Sequence, residues 1–410
     1  MVETLKPETT EQAVEAIVWA TGEETPVEIV GTGTKRGFGR PMGDGNRTIA
    51  HALDLSGLTG ITLYEPEELV LSAWAGTPLA EIEAAVAAEG QMLAFEPPQL
   101  ARLYGGEGGT LGGMIACNLA GPRRVKAGAA RDHILGIEAV TGRGDLVKSG
   151  GRVVKNVTGY DLSKLLTGSF GTLAALTQIT IKVLPAAETE ETILVAGVDD
   201  ATAIDIMSAA LNSSNEVSGA AHLPGGRAAN PRPVTAVRVE GFVPSVAARA
   251  DALRALVGAR GSVSTLDRAA SQAFWASVRD VESMAAATGS GDAPLWRLSV
   301  TPNKAAEIVS AISATIPGTA LYDWGGGLIW FQLASDSGGD TDGAGHAAIR
   351  SVLAGHGGGH ATLVRAPEDV RRTVDVFEPQ PAPLAALSAR VKESFDPRHI
   401  LNPGRMYSGV

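Results

Sequence analysis

The chain has 410 residues, 44% of them apolar and 19% charged, with 34 basic against 45 acidic groups and a formal net charge of −11. Such a length exceeds one ordinary core and implies two or three domains, and the acidic balance argues against a general nucleic-acid surface. No window approaches the roughly 18 uninterrupted apolar residues that a membrane helix needs, and the single cysteine, Cys117, excludes an internal disulfide, a CxxC pair and a thiolate-held iron–sulfur cluster.

The opening MVETLKPETTEQ lacks a charged-then-apolar signal pattern, so a cytosolic, bacterial-type location is the expectation. A helix is predicted over 9–21, with Thr10 as N-cap and Ala13, Val14, Ile17 and Val18 as one apolar stripe. VEIVG at 27–31 reads as a short buried strand that runs into GTGTKRGFG. That spacing is not GxGxxG, and Pro41 with Gly43 and Gly45 blocks the helix a Rossmann fingerprint requires, which removes a nicotinamide site. Strands follow at 51–57, 61–66 and 69–76, then a helix over 77–90 with Thr77 as cap, Pro78 at its first position and Gly90 at its end. The β-β-β-α order belongs to an α+β domain.

From Gly105 to Pro185 glycine alternates with short apolar runs, and Arg123, Arg124, Lys126 and Arg131 crowd into nine residues. Glycine lets a ligand approach bare backbone, and successive amides in glycine turns converge on anions. A bound diphosphate is one reading; a loop-rich β domain that needs glycine for its turns is the other. ILGIEAVTGRGDLVKSGG reads as a hairpin turning at Gly142-Arg143-Gly144, followed by a short helix at 161–169 and a strand at 173–185. Cys117 reads as a small packing residue, since no His–Asp pair accompanies it.

Beyond 186 the order β-α-β-β-α-β appears twice, with a helical segment around FWASVRDVESMAAA between the two. This predicts a domain of two ferredoxin-like halves without sequence repetition. SDSGGDTDGAG at 335–345 reads as a surface loop, and 383–396 as an amphipathic helix stopped by Pro397.

The linked motifs GTGTKRGFG, GGTLGGMIACNLAGPRRVKAGAARDHILG, GDLVKSGGRVVKNVTGYDLSKLLTGSFGTL and FDPRHILNPGR resemble flavoproteins of the vanillyl-alcohol oxidase and p-cresol methylhydroxylase (PCMH) type. Within that family, GRVVKNVTGYDLSKLLTGSFGTLAALTQITIKVLP and the NPGRMY ending are similar to flavin subunits of glycolate-oxidising bacterial complexes. The resemblance implies an α+β fold: a PCMH-type FAD-binding domain of two α+β subdomains over 1–185, a cap or substrate domain over 186–380, and a C-terminal helix with a return segment to the flavin over 381–410. It implies that Gly31, Gly33, Lys35, Arg36 and Gly37 lie where the first loop wraps the pyrophosphate, and that Gly112, Gly113, Asn118 and Gly121 form the second cradle. Gly128, Arg131 and Asp132 would pass the flavin, Ile179 would face the adenine end, and Asn402 with Arg405 would return to the ring. The implied partners are a catalytic flavin subunit and an iron–sulfur subunit of one complex, and the implied substrate is a small 2-hydroxy acid that gives up a hydride from Cα. A self-sufficient dehydrogenase and a purely structural subunit remain alternatives.

The departures from the family pattern carry information too. No histidine stands in 31–41, so noncovalent FAD is implied, and the histidine, aspartate and glutamate set that holds a metal in larger relatives has no counterpart. GHGGGHATLVRAP offers only His356 and His360, too few for a metal site. His360 is read as a substrate or flavin neighbour or as a structural histidine at a strand start, and Arg297 as a carboxylate clamp or an ion-pair partner. Tyr322, Trp324 and Trp330 either roof a flavin or pack a core. His133 is either a cofactor contact or packed, and His399 reads as a turn residue.

Overall fold

Thr9, not Thr10, opens the first helix: its side chain accepts the Gln12 N–H at 3.2 Å. In the computed structural model, which describes residues 2–43, 49–106, 108–152, 159–225, 232–285, 293–334 and 342–410, this helix, α1 (Thr10–Gly22), buries Ala13, Ile17 and Ala20. Val18 stands one residue round the helix from that face and is 51% exposed, which corrects its place in the apolar stripe. The expected VVKNVT segment at 153–158 and most of the 335–345 loop lie outside the described residues.

The chain divides into two compact units, one made of Met1–Ala120, Gly128–Ala186 and Pro379–Val410, the other of Gly121–Ala127 and Ala187–Glu378. In the first, β1 (Glu3–Leu5), β2 (Val27–Val30) and β3 (His51–Asp54) form a parallel sheet in the order β1-β3-β2. Then come β4 (Ile61–Glu65), β5 (Val70–Trp74), α2 (Leu79–Ala88), β6 (Gln91–Met92), α3 (Ala101–Tyr104) and α4 (Leu111–Cys117). The one-turn helix α5 (Arg124–Ala127) belongs to the second unit. After it follow α6 (Ala130–His133), β7 (Ile134–Thr141), β8 (Leu146–Gly150), α7 (Leu162–Leu166), β9 (Ala174–Lys182) and β10 (Leu184–Pro185). An antiparallel sheet runs β4-β5-β9-β7-β8. Thr77 does not cap α2: its hydroxyl donates back to the Trp74 carbonyl at 2.7 Å, and the helix starts without a side-chain cap.

The second unit is the doubled ferredoxin-like pattern. Its first half is β11 (Thr189–Ala196), α8 (Asp200–Leu211), β12 (Gly219–Leu223), β13 (Val234–Gly241), α9 (Val243–Val257) and β14 (Ser262–Leu266). After α10 (Arg268–Arg279), the second half is β15 (Leu295–Ser299), α11 (Ala305–Ser313), β16 (Gly318–Asp323), β17 (Leu328–Leu333), α12 (His346–Gly355) and β18 (His360–Arg365). Both halves join in one eight-stranded sheet, β14-β11-β13-β12-β16-β17-β15-β18. The seam is the β12–β16 pair, where His222 meets Tyr322. His222 is fully buried there, bonded to Thr235 and Asp200, and Asp200 accepts the Tyr322 hydroxyl. Burial and the Asp200 carboxylate push the Tyr322 phenol above its ordinary value. A short α13 (Glu368–Thr373) precedes the return of the chain to the first unit as α14 (Ala382–Phe395).

That return ends in a buried ion pair. Lys392 and Asp396 are both 0% exposed, and the ammonium donates to Asp396 Oδ2 at 2.6 Å, to the Thr172 carbonyl at 2.6 Å and to the Leu401 carbonyl at 2.9 Å. Asp396 in turn accepts the Ile400 and Leu401 amides at 3.1 and 2.8 Å. All three ammonium protons are used, which is what makes burial of the charge tolerable. Gly142 must be glycine here, because a Cβ would stand 2.2 Å from Asp396 Oδ1. Ile400 and Leu401 then join Ala13, Ile17, Val27 and Leu53 in the core.

Removing one member strands the other charge. Lys392→Ala is therefore expected to cost about 3–5 kcal/mol, read as a large drop in the thermal midpoint of the first unit. An unchanged midpoint would show that the tail is not anchored by this pair.

Candidate functional site

A groove enclosing about 780 Å3 of atom-free space, partly open to solvent, lies in the first unit where the end of β2, the loop after it, α4 and the C-terminal tail meet. Its lining includes Gly31, Gly33, Lys35, Arg36, Gly112, Gly113, Asn402 and Arg405. The loop after β2 is turn-like, with Gly33 at φ +74° and the Arg36 N–H closing on the Gly33 carbonyl at 3.2 Å. Backbone N–H groups of Thr32, Gly33, Thr34 and Lys35 find no acceptor among the described residues. Such a run of successive donors is the concavity that binds anions.

Lys35 adds the charge. Its ammonium reaches Thr34 Oγ1 at 3.5 Å and lies against Gly109 and Gly113, where Cβ atoms would come within 2.6 and 3.6 Å of it. Burial holds the Lys35 amine below its usual range. The neighbouring Cys117 thiol is pushed up by burial, an effect that Lys35 and Arg405 partly offset. An anion in the groove would stabilise the ammonium that burial disfavours. Arg36 is a weaker candidate: it is 57% exposed at its side chain and engaged by Glu28 at 2.9 Å.

The α4 helix was hidden in a stretch that reads as loop. Thr110 caps it, accepting the Gly113 N–H at 3.2 Å. The Leu111 and Gly112 amides are already spent on the Thr77 and Ala75 carbonyls at 3.0 and 2.7 Å, so the second cradle contributes its glycines rather than its amides. The two glycines differ in kind. A Cβ on Gly112 would stand 2.9 Å from Ala75 Cβ and its carbonyl oxygen, which makes Gly112 a close contact between α4 and the turn after β5. A Cβ on Gly113 would meet only Thr110 Oγ1 at 3.4 Å and the Lys35 ammonium, and would fill the groove instead. The residues present thus fit a diphosphate-bearing cofactor.

The tail residues act through the loop. Asn402 accepts the Ile29 N–H at 2.7 Å and donates to the Phe170 carbonyl at 2.8 Å. Arg405 donates to the Lys35, Arg36 and Arg40 carbonyls at 2.8, 3.0 and 3.1 Å. Both are positioning residues.

Other expected residues stand outside the lining. Gly37 lies under Tyr104, whose ring carbon would be 2.5 Å from a Cβ. Asn118 ends α4 in the left-handed region and accepts the Arg131 N–H at 3.1 Å, while the Arg131 and Asp132 side chains are exposed. Gly128 (φ +87°) packs against Asp132. Ile179 is 0% exposed in β9, paired with Ala73 and Ile137, with its side chain in the sheet core. Gly121 belongs to the second unit, where its carbonyl accepts the Trp324 indole N–H at 3.0 Å.

In that second unit Arg297 Cζ lies 5.2 Å and Arg124 Cζ 4.6 Å from the Trp324 ring centroid. Burial, then Arg124, lower the Arg297 guanidinium to about 10, against the opposing pull of Asp323. The Arg297 side chain makes no hydrogen bond or ion pair among the described residues. The register pairs Arg297 with Thr362 and Ser299 with His360, so Arg297 and the exposed His360 share a sheet face. His356 Nδ1 bonds the Val352 carbonyl at 2.7 Å, and His133 is buried with its ring 5.5 Å from Phe95. Tyr322 and Trp330 are core residues, while Trp324 is only half-buried. Among the described residues no group of three His, Cys, Asp or Glu side chains could hold a metal ion, and no helix is long and apolar enough to cross a membrane.

Residues 3–150 match the FAD-binding domain family. The chain is 34% identical over 406 residues to glycolate oxidase subunit GlcE of Escherichia coli K12, covering 96% of each. A shorter stretch of 85 residues, 21% of this chain and 18% of the other, is 44% identical to glycolate oxidase subunit GlcD of Bacillus subtilis. Among solved structures, p-cresol methylhydroxylase with substrate bound superposes with a TM-score of 0.74 at 15% identity, over 98% of this chain and 88% of that one, a likeness of fold.

The site yields two predictions. Gly113→Val is expected to leave a folded chain with little flavin, whereas Gly112→Val should lower both flavin content and thermal midpoint; the ratio of flavin to protein absorbance and a melting curve separate them. Full flavin occupancy in a folded Gly113→Val chain would displace the cofactor from this groove. Lys35→Met should raise the FAD dissociation constant roughly ten- to a hundredfold, since bonds to charged groups contribute about 1.5–3 kcal/mol, and Arg36→Met should raise it less. The reverse ranking in a flavin titration would contradict the placement.

Proposed function

Because the chain belongs to the family of glycolate oxidase subunit GlcE, a family of FAD-binding oxidoreductases, we propose that it is the FAD-carrying subunit of a glycolate-oxidising complex. The observation that carries this reading is the row of four amides without an acceptor among the described residues, beside the half-buried Lys35 ammonium in a glycine-lined groove. When bound, FAD supplies the hydride acceptor for oxidation of a 2-hydroxy acid at Cα. The amides of residues 32–35 and Lys35 hold its diphosphate, and Asn402 and Arg405 keep that loop in place through its backbone. Residues 1–185 with the tail carry the cofactor and 186–380 the substrate residues. With no histidine in 31–41, the flavin is held noncovalently and leaves the chain intact on acid denaturation.

Substrate oxidation requires a cation for the carboxylate and a base for the hydroxyl proton. Arg297 fills the first role and His360 the second, although no carboxylate orients His360 among the described residues. The isolated chain is therefore slow, and turnover depends on a GlcD-type flavin subunit and an iron–sulfur subunit that takes the electrons onward. One cysteine cannot hold that cluster in this chain. The complex is cytoplasmic, peripheral to the inner membrane.

Anaerobic addition of glycolate to the isolated, flavin-loaded chain tests this. The expected outcome is a flavin spectrum that bleaches slowly or not at all until the partner subunits are added. Rapid bleaching that His360→Ala abolishes would instead make this chain a self-sufficient 2-hydroxy-acid dehydrogenase, and a purified chain without flavin would make it a structural subunit.

A further inference from the structure

Among the described residues Lys35 is a cation without an anion. Its ammonium has one polar partner there, Thr34 Oγ1 at 3.5 Å, the outer limit of a hydrogen bond. Around it stands glycine backbone: Cβ atoms on Gly109 and Gly113 would lie 2.6 and 3.6 Å from Nζ. Arg36, next in sequence, has its own carboxylate in Glu28 at 2.9 Å, so that pair adds little net charge. The remaining ionisable groups facing Lys35 are the Cys117 thiol on α4 and the Arg405 guanidinium, which donates to the Lys35 carbonyl at 2.8 Å. Burial pushes that thiol up, and Lys35 and Arg405 only partly offset it, so at neutral pH Cys117 supplies no negative charge.

The groove thus holds a cation and four amides without an acceptor among the described residues, those of Thr32 to Lys35. An amine so placed loses solvation when it is charged, and burial holds it below the usual lysine range. A diphosphate in the groove reverses the balance, because an opposite charge a few ångströms away favours the ammonium. Lys35 therefore binds its proton more weakly in the empty groove than in the filled one.

We propose that Lys35 takes up a proton as FAD binds, so that the chain keeps its cofactor at neutral pH and releases it as the medium turns alkaline. The sign follows from linkage. Below the pKa of the amine in the empty groove, Lys35 is charged before and after binding, and affinity does not change with pH. Between that value and the higher one of the filled groove, each flavin brings in a proton and affinity falls about tenfold per pH unit. Above both, the amine is neutral throughout and its charge-assisted bonds to the diphosphate are lost. This rests on the cofactor reading above and adds a regulation that the reading does not need.

Calorimetric titration of the apo chain with FAD tests it, in buffers of contrasting ionisation enthalpy from about pH 7 to about pH 9.5, just below the ordinary lysine range. Proton uptake is expected to rise with pH toward one proton per flavin, while the dissociation constant climbs by up to about tenfold per unit. Lys35→Met should bind weakly throughout and lack that uptake, so the wild-type curve approaches it at the alkaline end. Lys35→Arg, which stays charged, should also lack the uptake, and it serves if the methionine variant does not fold. Cys117→Ala should keep it. Ionisation of the flavin ring itself is common to all four chains and cancels in the comparison. Equal uptake in wild type and Lys35→Met, or uptake that disappears with Cys117 rather than with Lys35, would overturn the proposal. FAD bound with one affinity and no uptake at every pH keeps the cofactor reading and loses the proton switch. A chain that binds no FAD at any pH loses both.

Discussion

The buried Lys392–Asp396 pair is the constraint on which the first unit depends. An ammonium and a carboxylate with no exposed surface survive only because every donor and most acceptor positions are filled. Filling them forces the chain after α14 to double back, which lays Ile400 and Leu401 into the core beside Val27. Val27 donates to the Ile400 carbonyl at 2.8 Å, and Asn402 donates back to the Val27 carbonyl at 3.2 Å. From there Asn402 and Arg405 reach the backbone of the loop after β2. Residues nearly four hundred positions apart in the chain thus shape one groove, and a fault at Asp396 or Gly142 would be felt at Lys35.

The groove proposed for the cofactor presents its donors differently from a Rossmann turn. There, amides at a helix start face the pyrophosphate. Here the first amides of α4 are bonded to Thr77, Ala75 and Thr110, and the unspent donors belong to the turn after β2. Lys35 supplies the charge from the same turn, and α4 brings the glycines that let backbone and ligand come close. The proposed cofactor site thus rests on a loop held by the far end of the chain.

Much of the architecture was legible in the sequence. The doubled β-α-β-β-α-β order is period and spacing alone, and it reappears as one sheet with mirrored halves. Helix starts were less so: Thr9 against Thr10, and Thr77 as a cap, turn on one hydrogen bond each, which no propensity decides. Helix α4 was missed because LGGMIAC carries two glycines, each unfavourable in a helix; Thr110 ahead of an apolar run was the available signal. Of the expected cofactor residues, the groove gathers those of the first loop except Gly37, those of the tail, and Gly112 and Gly113. Ile179 was assigned by motif position, and only the strand pairing reveals that its side chain is spent in the core. Arg124 was visible merely as one of four clustered basic residues; its partner Trp324 lies two hundred residues away.

Amide hydrogen exchange of the apo chain with and without added FAD tests the central claim most directly, because it reports where the cofactor sits without a mutation. The account predicts new protection concentrated at Thr32–Lys35, with smaller gains in α4 and at Asn402–Arg405. Protection confined to residues 128–132, with none at Thr32–Lys35, would contradict it.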